Sequence, residues 1–128
     1  MRHSILSDCM SALKNAESVG KDRCTVEASK LVMEVLKTLQ EEDYIGEFEK
    51  IEDNRGGKFR IELLGEINDC NAIRPRFSVK KDGFEKWEKR YLPAKGMGFL
   101  IVTTPEGVTT HEDAKSKGTG GKLIAYVY

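Results

Sequence analysis

Apolar residues first recur at helical spacing near the start of the chain. Ile5, Leu6, Cys9, Met10, Leu13 and Ala16 fall on one face of a 3.6-residue repeat. Ser4 suits the N-cap, where a side-chain oxygen takes up a free backbone N–H, and Gly20 suits the stop. A short β-leaning stretch, RCTVEA (23–28), precedes a second amphipathic helix, SKLVMEVLKTLQEE (29–42). Leu31, Val32, Val35, Leu36 and Leu39 form its predicted buried stripe. Ser29 is its N-cap, so Lys30 lies in the first turn, where a cation gains nothing from the helix dipole. The period then changes to two. YIGEFEKIED (44–53) alternates imperfectly, as a strand bulged near Gly46 or Phe48 does. NRGG (54–57) is turn chemistry, and KFRIELL (58–64) sends Phe59, Ile61 and Leu63 one way and Lys58, Arg60 and Glu62 the other. The first half is predicted to be an α/β subdomain, two helices on a small sheet.

GEINDCN (65–71) has the composition of a linker and places a boundary between subdomains 1–66 and 67–128. Beyond it, AIRPRFSVKK (72–81) alternates Ile73, Phe77 and Val79 against Arg74, Arg76, Ser78 and Lys80, with Pro75 confining the run to an edge or a bulge. GFEKWEKRYLP (83–93) sets Phe84, Trp87 and Tyr91 in a stripe and predicts a short helix or turn. GFLIV (98–102) is a buried strand that ends in the hydroxyl rim VTTPEG (102–107). THEDAKSKG (110–118) is then a helix with a capping-box-like Thr110 and Asp113 and a stop at Gly118, and KLIAYVY (122–128) is a terminal strand. The fold class is α+β, with a C-terminal subdomain that is mostly antiparallel β with short helices.

Composition narrows the function. The chain has 128 residues, 33% charged and 39% hydrophobic, which suits a globular protein, and neither a signal peptide nor a membrane span is expected. Its 21 basic and 21 acidic residues cancel, so charge alone does not hold a nucleic acid. The balance is uneven, however: residues 74–95 carry 8 basic and 3 acidic groups. Interleaved with Phe77, Phe84, Trp87 and Tyr91, that stretch has the composition of a nucleic-acid face, although part of the aromatic set is expected in the core. Cys9, Cys24 and Cys70 contain no CxxC and read as thiols buried as small apolar groups rather than as a disulfide or metal ligands, and His3 and His111 stand at no metal-ligand spacing. GTGGK (118–122) is not a phosphate loop, since Ser116 replaces the first glycine and Lys122 precedes Leu123. His111, Glu112 and Asp113 diverge as helical neighbours and read as a solvated first turn. No cofactor or catalysis is expected.

ASKLVMEVLKTLQEEDYIGEFEKIED, AIRPRFSVKK with FEKWEKRYLPA, and GFLIVTTPEGVTTHEDAKSKGTGGKLIAYVY together resemble the eighth protein of the small ribosomal subunit, over nearly the whole chain. The Arg-rich middle resembles the archaeal and eukaryotic branch of that family, and YIGEFE with GGKLIAYVY favours the archaeal type. The resemblance implies a cytoplasmic ribosomal protein that binds a helix in the central domain of small-subunit rRNA. It also implies an early role in subunit assembly, neighbouring ribosomal proteins as partners, and in many members binding to the protein's own messenger. No reaction, cofactor or membrane is implied, and the protein is expected to be a monomer outside the ribosome.

By the same resemblance, Thr103 and Thr104 take the first two places of the family's Ser-Thr-Ser or Ser-Thr-Thr triplet, and Gly107, Gly120 and Gly121 match its glycines. Lys30 matches a family lysine that reaches RNA. Pro105 and Thr109 depart from the pattern, as do Ser4 and Ile5, and Lys122 stands where bacterial members have Glu. Physically, threonine hydroxyls donate and accept toward 2′-OH groups and phosphates, and glycines admit a phosphate close to the backbone. Lys122, Lys30, Arg74 and Arg76 are the expected phosphate-neutralising cations. The rival expectation is a protein-interaction module that pairs through the edge strand at 72–81 without RNA.

Overall fold

A computed structural model describes residues 4–128. The chain divides into two compact units, residues 1–70 and 71–128.

In the first unit, α1 (Ile5–Ser18) begins at Ser4, whose Oγ accepts from the Ser7 N–H at 3.3 Å. Gly20 follows the helix with a φ of +75°, which reverses the chain and lets the Lys21 N–H reach the Ala16 carbonyl. Leu6, Cys9, Met10, Leu13 and Ala16 are buried, whereas Ile5, at the first helical position on the flank of that stripe, is exposed. After β1 (Arg23–Glu27), α2 (Lys30–Glu41) is capped by Ser29, which accepts from the Val32 N–H at 3.1 Å. Val32, Val35, Leu36 and Leu39 are fully buried, and Leu31 is only half-buried. Thr38, seven residues on along the same flank, is buried instead and donates its hydroxyl to the Glu34 carbonyl. That bond satisfies a polar group that burial would otherwise penalise.

β2 (Ile45–Ile51) and β3 (Lys58–Leu63) form the expected hairpin. Asp53 closes its turn by accepting from the N–H groups of Arg55 and Gly57, both at 2.9 Å. The register shifts between Ile45 and Phe48, so the bulge lies where the broken alternation places it. The sheet order is β1-β3-β2, all antiparallel, with α1 against β1 and α2 against β2. The segment after β3 has the composition of a linker but is anchored within this unit. Ile67 is buried and donates its N–H to Glu17, and the buried Cys70 thiol donates to the Met10 carbonyl. Burial pushes the thiols of Cys9 and Cys70 up to about 12, so both are protonated at neutral pH.

The remaining elements are β4 (Cys70–Ala72), β5 (Ser78–Val79), α3 (Phe84–Tyr91), β6 (Phe99–Thr104), β7 (Gly107–Thr110), α4 (His111–Ser116) and β8 (Gly121–Val127). The run at 72–81 alternates as expected but does not make one strand. It breaks around a cis Arg74–Pro75 bond, leaving β4 and β5 as short pieces beside β8. The sheet order is β4-β8-β6-β7, with β5 also on β8. Its core is Ile73, Val79, Phe84, Trp87, Leu92, Leu100, Val102, Ala114 and Leu123. One irregularity organises this sheet. Ile101 lies opposite Ala125 but Val102 lies opposite Leu123, so Ile124 is an extra residue in β8. Leu123 and Tyr126 therefore both pack against the core that α3 and α4 share, which simple alternation forbids.

The N-terminal core rests on the stripe of α2. Leu36→Ala is expected to lower unfolding stability by about 2–5 kcal/mol, measured by urea titration followed by circular dichroism.

Candidate nucleic-acid interface

The hydroxyl rim is a hairpin, not a strand running straight into a helix. β6 ends with Thr103 and Thr104, and the chain turns through Pro105 and Glu106 to Gly107. It then returns as β7, pairing Thr103 with Val108 and Thr104 with Gly107. Gly107 has a φ of +122°, open to glycine and strained for other residues, and a Cβ there would meet nothing within 4 Å. The Thr104 hydroxyl closes the turn: it donates to the Gly107 carbonyl at 2.9 Å and accepts from the Glu106 N–H at 3.1 Å. Thr104 is thus committed to its own loop, whereas Thr103 is a half-buried residue of the strand. The missed strand has a sequence signal after all: VTT (108–110) is β-branched throughout.

Thr103 sits opposite Lys122 on β8, and Lys122 sits opposite Ser78 on β5. Because they are in register, Ser78, Lys122 and Thr103 share one face as a polar row across three strands. Ser78 and Lys122 are exposed. Ser78 escaped the sequence-based set, although its alternation with Arg76 and Lys80 carried the signal. Arg74 and Arg76 are exposed on the loop between β4 and β5. That loop is pinned to β8 at both ends: the Ile73 N–H donates to the Ile124 carbonyl, and the Leu123 N–H donates to the Phe77 carbonyl, each at 2.9 Å. Lys30 is exposed at the first position of α2, in the N-terminal unit. Among the described residues, Lys30, Arg74, Arg76 and Lys122 form no ion pair with a carboxylate. Lys115 and Lys117, by contrast, are tied to Glu88, Glu106 and Asp113.

Gly120 and Gly121 have intramolecular reasons to be glycine. A Cβ on Gly120 would strike the Val79 carbonyl, and one on Gly121 would come within 2.5 Å of the Thr103 carbonyl. The pair lets β8 approach β5 and β6 at the end of the sheet where the rim emerges.

Two other expectations change. His111 is not solvated; it is 2% exposed. Its Nδ1 accepts from the Leu100 N–H at 3.0 Å, and its Nε2 lies 2.9 Å from Glu88 Oε1, which also takes Lys115 Nζ at 2.7 Å. An accepting Nδ1 makes the imidazole neutral, with its proton on Nε2. Burial holds its pKa below the ordinary histidine value and outweighs the opposing pull of Glu88. These groups border a groove of about 620 Å³ beside α3, yet their polar atoms are spent on one another. The aromatic stretch also differs from a bare nucleic-acid face: Phe84 and Trp87 are buried in the core, and Phe77 and Tyr91 are half-buried against it.

A two-unit α+β chain with this hairpin, glycine pair and cationic loop matches the family model described as Ribosomal protein S8, over residues 4–128. The chain belongs to the ribosomal protein S8 family. Members are small-subunit ribosomal proteins that bind rRNA, which is a structural role in translation. No helix among the described residues is long and apolar enough to cross a membrane.

Two outcomes follow from this geometry. Gly120→Ala drives a methyl group into the Val79 carbonyl and is expected to cost about 1–3 kcal/mol of unfolding stability, read by urea titration. As pH falls below about 6.5, the unfolded chain gains a proton that buried His111 resists, so stability present above that pH is lost. His111→Gln supplies the same acceptor and donor without titrating. The wild type is expected to lose more thermal stability than this variant between pH 7.5 and 5.

Proposed function

We propose that this S8-family chain binds a helix in the central domain of small-subunit rRNA through the C-terminal rim. The observation that carries the reading is the polar row of exposed Ser78, exposed Lys122 and half-buried Thr103, set beside an open turn and a loop of uncommitted arginines. The chain has zero net charge, so its affinity depends on placement. Thr103 meets a 2′-OH or phosphate oxygen, Gly107 admits the backbone of the RNA, and Lys122, Arg74 and Arg76 neutralise phosphates. Thr104 contributes by fixing the turn, and Gly120 and Gly121 by bringing the strands close enough to form the rim. Lys30 supplies a further cation from α2.

The same reading makes the protein an archaeal-type, cytoplasmic member that supports early subunit assembly beside neighbouring ribosomal proteins and is monomeric before it joins the particle. Its own messenger is a second target wherever that RNA folds into a similar helix. The breaking of the 72–81 run into two short strands favours RNA over strand pairing with a protein, since little continuous edge is left to extend.

Filter binding to a transcript of the rRNA central domain at several salt concentrations tests this. Lys122→Ala is expected to flatten the log–log salt dependence by about 0.7–0.9, the contribution of one phosphate contact. Thr103→Val is expected to weaken binding with no change in melting temperature. Unaltered slope and affinity in both variants would remove the row from the interface.

A further inference from the structure

Five aromatic rings of the C-terminal unit, from α3, from β8 and the residue after it, and from the residue before β5, form a near-parallel series. Phe77 stacks on Trp87 with centroids 4.5 Å apart and planes 25° apart. Trp87 and Tyr91 follow at 6.4 Å and 13°, Tyr91 and Tyr126 at 5.5 Å and 22°, and Tyr126 and Tyr128 at 6.1 Å and 16°. A cation lies across the first part of the series. The Arg90 guanidinium carbon is 5.5 Å from the centroids of Trp87 and Tyr91 and 5.8 Å from that of Phe77, and Lys86 Nζ is 4.8 Å from the Trp87 ring. Both cations are exposed, and among the described residues neither pairs with a carboxylate. The other basic residue of this helix, Lys89, is paired with Glu85.

We propose that the exposed face of Arg90, backed by Phe77, Trp87 and Tyr91, is a stacking platform for an unpaired RNA base, with Lys86 meeting the adjoining phosphate. Packing the rings into the core is sufficient to explain Trp87. It does not explain two unpaired cations laid over that core at its solvent side. A guanidinium drawn against a stack of aromatic rings is held on its inner side and offers the outer one, and planar cations of this kind stack on bases that are out of a helix. The site needs a ligand with both a π-face and negative charge, which a run of carboxylates alone does not supply. It is also continuous with the rim: Phe77 follows Arg76 directly, and Ser78 of the polar row follows Phe77. The platform thus extends the RNA-binding reading above, on which it rests, from a folded helix to a single-stranded neighbour of that helix.

The test uses the full chain and a labelled eight-nucleotide single-stranded RNA of mixed sequence. Trp87 is the only tryptophan, so its fluorescence reports on the platform alone. Saturable quenching is expected. Arg90→Ala should weaken binding about tenfold, in the range of one base stack. Arg90→Lys, which keeps the charge and loses the plane, should weaken it by a similar factor. Lys37→Ala, an exposed cation on α2 with no part in either surface, should leave quenching by the oligonucleotide intact. Absent quenching, wild-type affinity in Arg90→Lys, or equal displacement by poly-glutamate would overturn the platform. If it fails while the central-domain transcript still binds in a Lys122-dependent way, the rim reading stands without it. If the transcript also fails to bind, both are lost.

Discussion

The C-terminal unit depends on how closely β8 can approach its neighbours. This strand pairs with β4, β5 and β6, and the backbone at its start, Gly120 and Gly121, lies against the carbonyls of Val79 and Thr103. Only a residue without a Cβ tolerates those distances, which is why two glycines stand together at 120 and 121. The close approach has a direct outcome for chemistry. It brings Lys122, Thr103 and Ser78 into one row and pins the Arg74–Arg76 loop beside it. A neutral protein gains a polar, cation-bearing surface this way without an overall basic charge.

Where the sequence pattern was local, it was legible. Ser4, Ser29 and Thr110 cap their helices as their side chains suggest, and the alternation of Phe59, Ile61 and Leu63 fixes the face of β3. The α+β class follows from those segments. What was not legible depended on contacts distant in sequence. His111 looks like a solvated helix start because Asp113 and Glu112 surround it, and its burial is decided by Glu88 and Leu100. The return strand β7 was hidden because a hydroxyl-rich run following a glycine reads equally as a loop. Its β-branched residues permit a strand, and pairing with β6 makes it one.

The candidate site divides along the same line. Family resemblance gave Thr103, Thr104 and the glycines similar roles, and the geometry separates them. Thr103 stands half-buried opposite exposed Lys122, Thr104 spends its hydroxyl on the turn, Gly107 leaves space open, and Gly120 and Gly121 fill none because strands occupy it. A motif match therefore mixes residues left open at the surface with residues that shape it. Hydrogen-bond geometry and the room for a Cβ tell them apart.

The extra residue at Ile124 has an outcome for how this chain can vary. It changes the parity of β8, so that Lys122 points away from the core while Tyr126 and Tyr128, beyond the bulge, join the rings of α3. Removing one residue there would leave every amino acid chemically intact yet swap the two sides of half the strand, delivering either a buried lysine or a tyrosine turned from its stack. Descendants of this sequence are thus free to exchange side chains along β8 but are held to its length.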